Sequence, residues 1–283
     1  MTRTRVLGLF RLFRFELPFS AGMCVILGEL LALGKLPAAA DMALGFLSFF
    51  FISATALILN DYFDLEIDKI NAPERPLPSG LVSKRDVVLL SSVVALLGFV
   101  TSYMISMTAL FVVFLVWVVG ILYNWRVKWT GFLGNLLVSF SVGMAFIFGG
   151  IAVGNPYEKV VWWFGAIAMF IDLGEEIAAD AIDIQGDQQA GSRSLAIVLG
   201  LEKALKISGM IFLFVIVISS LPFILGWLGW IYLLPISIMD GVILFSTVQL
   251  LNPQSAERRR YIRWIYLSGL VAILIFIFIR IVD

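Results

Sequence analysis

The sequence predicts an all-α, polytopic membrane protein built from nine transmembrane helices in two pseudo-repeated halves. Three observations predict it. Of 283 residues, 61% are hydrophobic and mean hydropathy is +1.01, where soluble domains hold about 45–50% apolar residues. Apolar stretches near the ~20 residues that a spanning helix needs recur along the whole chain. One acidic pattern occurs twice at the same spacing. The chain reads as a single domain, residues 1–283.

The opening stretch, MTRTRVLGLFRLFRFELPF, is basic and amphipathic. It runs straight into an apolar segment with no small-residue cleavage site, so a cleaved signal is not expected. Spans are then predicted over 17–35, 41–61, 86–105, 107–124, 131–153, 159–181, 204–225, 228–250 and 262–282. The hydrocarbon core leaves no water for backbone polar groups, so these segments must be helices. If the N-terminus lies on the basic side, all Lys and Arg except Lys35, Lys159 and Arg280 fall on that side. The positive-inside rule makes that side cytoplasmic, in a cell membrane. Cys24 is the single cysteine, which excludes an internal disulfide, and there is no histidine to serve as base or metal ligand.

The second span ends in NDYFDLEID (60–68), and the sixth ends in DAIDIQGD (180–187). Asp61, Asp64 and Asp68 are three and four residues apart, as are Asp180, Asp183 and Asp187. Two even-numbered spans deliver their ends to one membrane face, and the pattern marks two related halves. Helical spacing puts each trio on one face, and Asn60, Asp64 and Asp68 share a stripe as well. Two carboxylates about 6 Å apart repel by roughly 3 kcal/mol at an effective dielectric near 20, and a helix C-terminus adds partial negative charge. A hard divalent cation offsets this, and Mg²⁺ suits a site shared with phosphates. Glu66 reads as a solvated neighbour, Glu175 and Glu176 inside the sixth span either as acceptor-site groups or as groups that support the metal ligands, and Asp172 and Asp240 have no assigned role.

Basic loops sit on the same side. NAPERPLPSG (71–80) cannot stay helical and carries Arg75. LYNWRVKWTGFLGN (122–135) offers Tyr123, Asn124, Arg126 and Lys128, and QQAGSRSLAIVLG (188–200) offers Arg193. Arg and Lys are natural phosphate partners. Arg14, near Pro18, is a further candidate at the first span's mouth, whereas Lys84, Arg85 and Arg258–Arg260 read as topological charge. Acidic clusters for metal, cations for a diphosphate and apolar helices for a long tail suit ionisation of a carbon–oxygen bond to diphosphate.

NDYFDLEIDKINAPERPLPSG resembles the first signature of the UbiA superfamily of intramembrane prenyltransferases, and DAIDIQGDQQAGSRSLAIVLG resembles the second. YNWRVKWTGFLGN is similar to the loop between them. The resemblance implies a helical bundle around a central cavity, and two Mg²⁺ ions that bridge the diphosphate of an isoprenyl donor. It places Asn60, Asp64 and Asp68, with Asp61 inside the motif, at the first metal site, and Asp183 and Asp187, completed by Asp180, at the second. Asp64, Asp68, Asp183 and Asp187 are then the residues on which catalysis depends. Arg75, Tyr123, Arg126, Lys128 and Arg193 bind diphosphate, and Arg14, Glu175 and Glu176 face the acceptor. Aromatic faces stabilise the allylic cation.

IDKINAPERPLPSG is most similar to archaeal digeranylgeranylglyceryl phosphate synthases, which implies a geranylgeranyl donor and a glycerol-phosphate ether-lipid acceptor. Gln188 stands where many relatives carry Arg or Lys, so prenylation of an aromatic quinone precursor stands beside that reading. Two other classes compete. An ion-coupled transporter carries membrane carboxylates, but its sites lie near the bilayer midplane. A phospholipid-headgroup transferase should carry D-x-x-D-G-x-x-A-R, which neither trio does. The expected partners are the isoprenyl diphosphate, a lipophilic acceptor and membrane lipids, with no nucleic acid.

Overall fold

The computed structural model describes residues 3–184, 188 and 191–282, which are helical with no strand among them. A short surface helix, α1 (Arg3–Leu12), leads into α2 (Glu16–Leu33) and α3 (Ala39–Phe63). The short α4 (Leu65–Asn71) precedes α5 (Lys84–Ile105) and α6 (Met107–Trp125). A 3₁₀ turn, Val127–Thr130, connects to α7 (Phe132–Ala152) and α8 (Lys159–Ile182). The chain ends with α9 (Leu195–Leu199), α10 (Leu201–Ser219), α11 (Leu221–Ile224), α12 (Leu233–Leu251) and α13 (Arg258–Val282). Asp187 of the second motif lies outside the described residues.

Nine of these helices have 18 to 25 residues. At 1.5 Å per residue that is about 27–38 Å, enough to cross a ~30 Å hydrocarbon core. Eight segments are apolar enough to span by composition as well. The exception is α8, because Asp172, Glu175 and Glu176 fall within every eighteen-residue stretch of it. It packs between α7 and α10 and also touches α2 and α13, so protein surrounds it on most sides. The predicted third and fourth spans are separated by one extended residue, Ser106 (φ −171°, ψ 164°). Its hydroxyl accepts the Ala109 N–H at 3.0 Å, an N-cap that starts α6 while α5 ends.

The halves meet where α2 packs on α7. The contact is reciprocal: a Cβ on Gly28 would strike the Phe146 carbonyl, and one on Gly149 would strike the Val25 carbonyl and the Glu29 N–H. Small residues let membrane helices approach backbone to backbone. Within the second half, Gly143 of α7 and Gly165 of α8 oppose each other in the same way. The two motifs also end their helices alike. Asp64 follows α3 at φ −92°, ψ 4°, and Asp183 follows α8 at φ −99°, ψ 14°. Matched backbone at the middle Asp of each trio is what related halves require.

Below the motif end lies a cavity of about 520 Å³. Its walls come from α2, α3, α6, α7, α8, α12 and α13. Asn60, Tyr123, Asn124 and Glu176 line its polar end, and Phe49, Phe146, Phe164 and Phe276 line its deep end. From Glu176 to Phe164 along α8 the rise is about 18 Å.

Candidate active site

The first acidic motif does not sit on one continuous helix. The helix is interrupted at Asp64, so Asp61 belongs to α3 and Asp68 to α4. Each carboxylate then takes its own cation. Asp61 is 1% exposed and pairs with Arg14; Asp64 pairs with Lys128, itself only 9% exposed; Arg75 grips both Asp68 oxygens at 2.6 Å. Among the described residues, no three acidic side chains stand close enough together to form a ready-made cation site. The single helical face expected for Asp61, Asp64 and Asp68 is broken at Asp64, and Asp61 is turned to Arg14.

Arg14 reaches Asp61 from the turn between α1 and α2, where its φ of 44° is left-handed. A non-glycine residue there is uncommon and signals a backbone held in place by its surroundings. Arg75 sits in the proline-rich loop, which Leu77 and Val82 anchor against Leu12 and Leu65 in a small second core. Burial works against the Arg75 charge, but the hydrogen bonds and charge of Asp68, then the charges of Asp61 and Asp64, outweigh it and raise its pKa further. Arg75 is thus the cation common to the whole first motif. Glu66 stays apart from it. Lys69 donates to both its oxygens at 2.9 Å and holds its carboxyl below the usual range, as expected for a solvated neighbour.

Buried amides set the remaining positions. Asn60 donates to Asp64 Oδ2 and to Asn124 Oδ1, each at 2.9 Å. Asn124 in turn donates to the Ala56 and Gly120 carbonyls at 3.0 and 3.1 Å. The Asn124 amide thus ties α6 to α3. In the other half, Asn135 donates to Asp180 Oδ2 at 2.9 Å. Asn135 is 4% exposed, and nothing local in FLGN marks it as a site residue.

The second motif takes a cation from an unexpected place. Arg259, 76 residues on, pairs with Asp183. The arginine run thus divides by role. Arg258 donates to the Leu250 and Asn252 carbonyls and closes α12, and Arg260 pairs with Glu257 and lies 4.8 Å over Trp264. Arg126 is exposed, and neither it nor Arg193 makes an ion pair among the described residues; the Arg193 N–H bonds to the Trp129 carbonyl at 3.0 Å. That bond docks the second motif's loop on the turn that carries Lys128.

Tyr123 bridges the halves. It lines the cavity together with Asn60 of the first motif and with Asp172 and Glu176 of α8, the helix that leads into the second motif. Below it, Asp172 accepts a bond from Ser139 Oγ at 2.8 Å, while Glu175 and Glu176 line the cavity. Asp240 accepts from Ser219 Oγ at 2.7 Å and ties α12 to α10, away from the motifs.

Such a mouth has carboxylates and cations in alternation, opens onto an apolar tunnel, and is built from two matched halves. The UbiA prenyltransferase family model matches residues 21–270. This chain belongs to the UbiA prenyltransferase family. It is a membrane-embedded enzyme. A UbiA relative in Thermococcus sibiricus, the digeranylgeranylglyceryl phosphate synthase, is 36% identical over 84% of this chain and 85% of its own length. A solved structure described as a digeranylgeranylglyceryl phosphate synthase is 29% identical, with TM-score 0.78, and covers 96% of this chain and 97% of its own. A UbiA homologue from Archaeoglobus fulgidus, bound to GPP and Mg²⁺, shares the fold at TM-score 0.71 and 19% identity, over 98% of this chain and 100% of its own.

Proposed function

We propose that this enzyme transfers a geranylgeranyl group from its diphosphate to the hydroxyl of geranylgeranylglyceryl phosphate. The observation that carries the reading is the relative of that name, 36% identical over 84% of the chain, together with a mouth of paired carboxylates and cations above an apolar tunnel. The whole chain, residues 1–283, acts as one catalytic domain.

The donor set fits Mg²⁺. Asn60, Asp64, Asp68, Asp180, Asp183 and Asp187 offer only hard oxygen ligands. Asp64, Asp68 and Asp183 have each drawn in a cationic side chain, so positive charge is what these positions favour. Two ions, one per motif, would neutralise the leaving diphosphate and lower the cost of breaking its bond to carbon. Lys128, Arg75 and Arg259 then exchange a carboxylate partner for a phosphate oxygen, and Arg126, Arg193 and Tyr123 complete the cradle. Arg fits phosphate as a planar fork and Lys as a point charge. Asp61 holds Arg14 in its strained turn at the rim. The deep aromatic wall of Phe49, Phe146, Phe164 and Phe276 excludes water from the donor's tail.

The test uses purified enzyme in lipid nanodiscs with labelled geranylgeranyl diphosphate, Mg²⁺ and a panel of acceptors. Geranylgeranylglyceryl phosphate should accept the label with release of diphosphate. EDTA should stop the reaction and added Mg²⁺ restore it. Transfer to aromatic acids alone would replace this acceptor with a quinone precursor.

The basic, motif-bearing end is cytoplasmic in this reading, with the N-terminus on the same side. Cys24 is 6% exposed in the core, so it leaves a quiet background for labelling. Tyr157→Cys, at a residue 88% exposed in the opposite loop, should react with an impermeant maleimide on intact cells. Glu74→Cys should react only after lysis. The reverse pattern would invert the orientation.

A further inference from the structure

Three helices place polar groups in the cavity beyond the two motifs. Ser20 from α2, Tyr266 from α13 and Glu175 from α8 all line its wall. Glu175 Oε1 is sealed from solvent and has no hydrogen-bond partner, and the Tyr266 hydroxyl, likewise sealed, lies beside Ser20. The helices that carry them, α8 and α13, pack together, so both groups face one cavity. A buried polar atom without a partner costs stability, and the fold gives Glu175 Oε1 nothing to hold. Their chemistry is complementary, an acceptor and a donor facing the same space.

One turn toward the mouth, Arg263 of α13 pairs with Glu16 at the start of α2 at 3.2 Å. Both side chains are exposed, at 64% and 48%, so a phosphate can displace Glu16. From Arg263 to Tyr266 the helix rises about 4.5 Å, which matches the reach from a phosphate to the neighbouring hydroxyl of a glycerol phosphate.

We propose that Glu175 is the base that takes the proton of the acceptor's attacking hydroxyl, which sits between the Glu175 carboxylate and the Tyr266 hydroxyl. This rests on the hydroxyl-acceptor reading given above. The donor's C1–O bond breaks and its electron pair leaves with diphosphate. An acceptor oxygen lone pair forms the new bond to C1, and the proton on that oxygen passes to Glu175. Tyr266 donates to the same oxygen and orients it, while Arg263 holds the acceptor's phosphate at the rim.

The test measures, in nanodiscs, transfer of labelled geranylgeranyl diphosphate to geranylgeranylglyceryl phosphate beside capture of the same label by water as the free alcohol. Glu175→Gln should lower transfer at least about 100-fold, the lower end for a general base, and shift the consumed donor toward the alcohol. Mg²⁺-dependent donor binding should stay within about threefold of wild type, and Glu175→Asp should recover part of the transfer. Tyr266→Phe and Arg263→Gln should raise the acceptor KM and leave the donor KM unchanged. Glu175→Gln transferring at the wild-type rate would overturn the proposal, as would equal loss of transfer and donor binding. If the Gln variant fails to fold, an unchanged acceptor KM in Tyr266→Phe overturns it instead. A wild-type enzyme that ionises the donor but never prenylates a hydroxyl would refute the acceptor reading, a separate outcome.

Discussion

Asp68→Ala is expected to reduce transfer at least about a thousand-fold, which corresponds to roughly 4 kcal/mol of lost transition-state stabilisation. Two effects combine. One carboxylate of the proposed metal site disappears, and Arg75 loses the two 2.6 Å bonds that hold it beside the motif. Removing a single preorganised group that meets developing charge already costs about 3–4 kcal/mol in other enzymes. Asp68→Asn separates the two effects, because it keeps an oxygen for Arg75 and removes the charge. It should be nearly as inactive as Ala. Asp187→Ala should match it in the second motif. Thermal unfolding in detergent should be close to wild type for all three, since the site lies at the end of the bundle. Activity within tenfold of wild type in both Ala variants would remove these residues from the metal sites.

Gly28→Leu is expected to abolish the folded state. Its Cβ would sit on the Phe146 carbonyl, with Gly149 Cα at 3.2 Å, and neither neighbour is a flexible side-chain tip. The helices must separate, and the loss of packing along α2 and α7 should exceed about 3 kcal/mol, the upper end of ordinary overpacking. The same separation would pull Asn135 and the second motif away from the first. Gly241→Leu is the control, because nothing lies within 4 Å of a Cβ there. It should express and unfold like wild type, while Gly28→Leu should yield little monodisperse protein. Equal melting of the two variants would mean that the α2–α7 crossing is looser than described.

Much of this architecture is written in local signals. Runs of apolar residues gave all nine long helices, and prolines and charge gave the loops. Lys128, Arg75 and Arg14 neighbour turns or acidic residues in sequence, and each pairs with a motif carboxylate. What stayed hidden depends on distant partners. Uniform three-and-four spacing suggested one helical face for Asp61, Asp64 and Asp68, but the interruption at Asp64 turns Asp61 toward Arg14, 47 residues away. Arg259 looked like one more topological charge, and only the folded chain brings it to Asp183. Asn135 and Ser139 are ordinary residues in an apolar helix until Asp180 and Asp172 stand opposite them.

The carboxylates of α8 bear on how the protein is made. A helix with Asp172, Glu175 and Glu176 near its middle carries a penalty of about 2.5 kcal/mol or more for a central Asp alone. Such a segment partitions poorly into lipid by itself when it leaves the ribosome. It needs α7 beside it, where Ser139 already answers Asp172 and glycines let the two backbones touch. Biogenesis should therefore couple the fifth and sixth spans into one insertion unit, and the groups that make the tunnel reactive are the ones that forbid α8 to enter the bilayer alone.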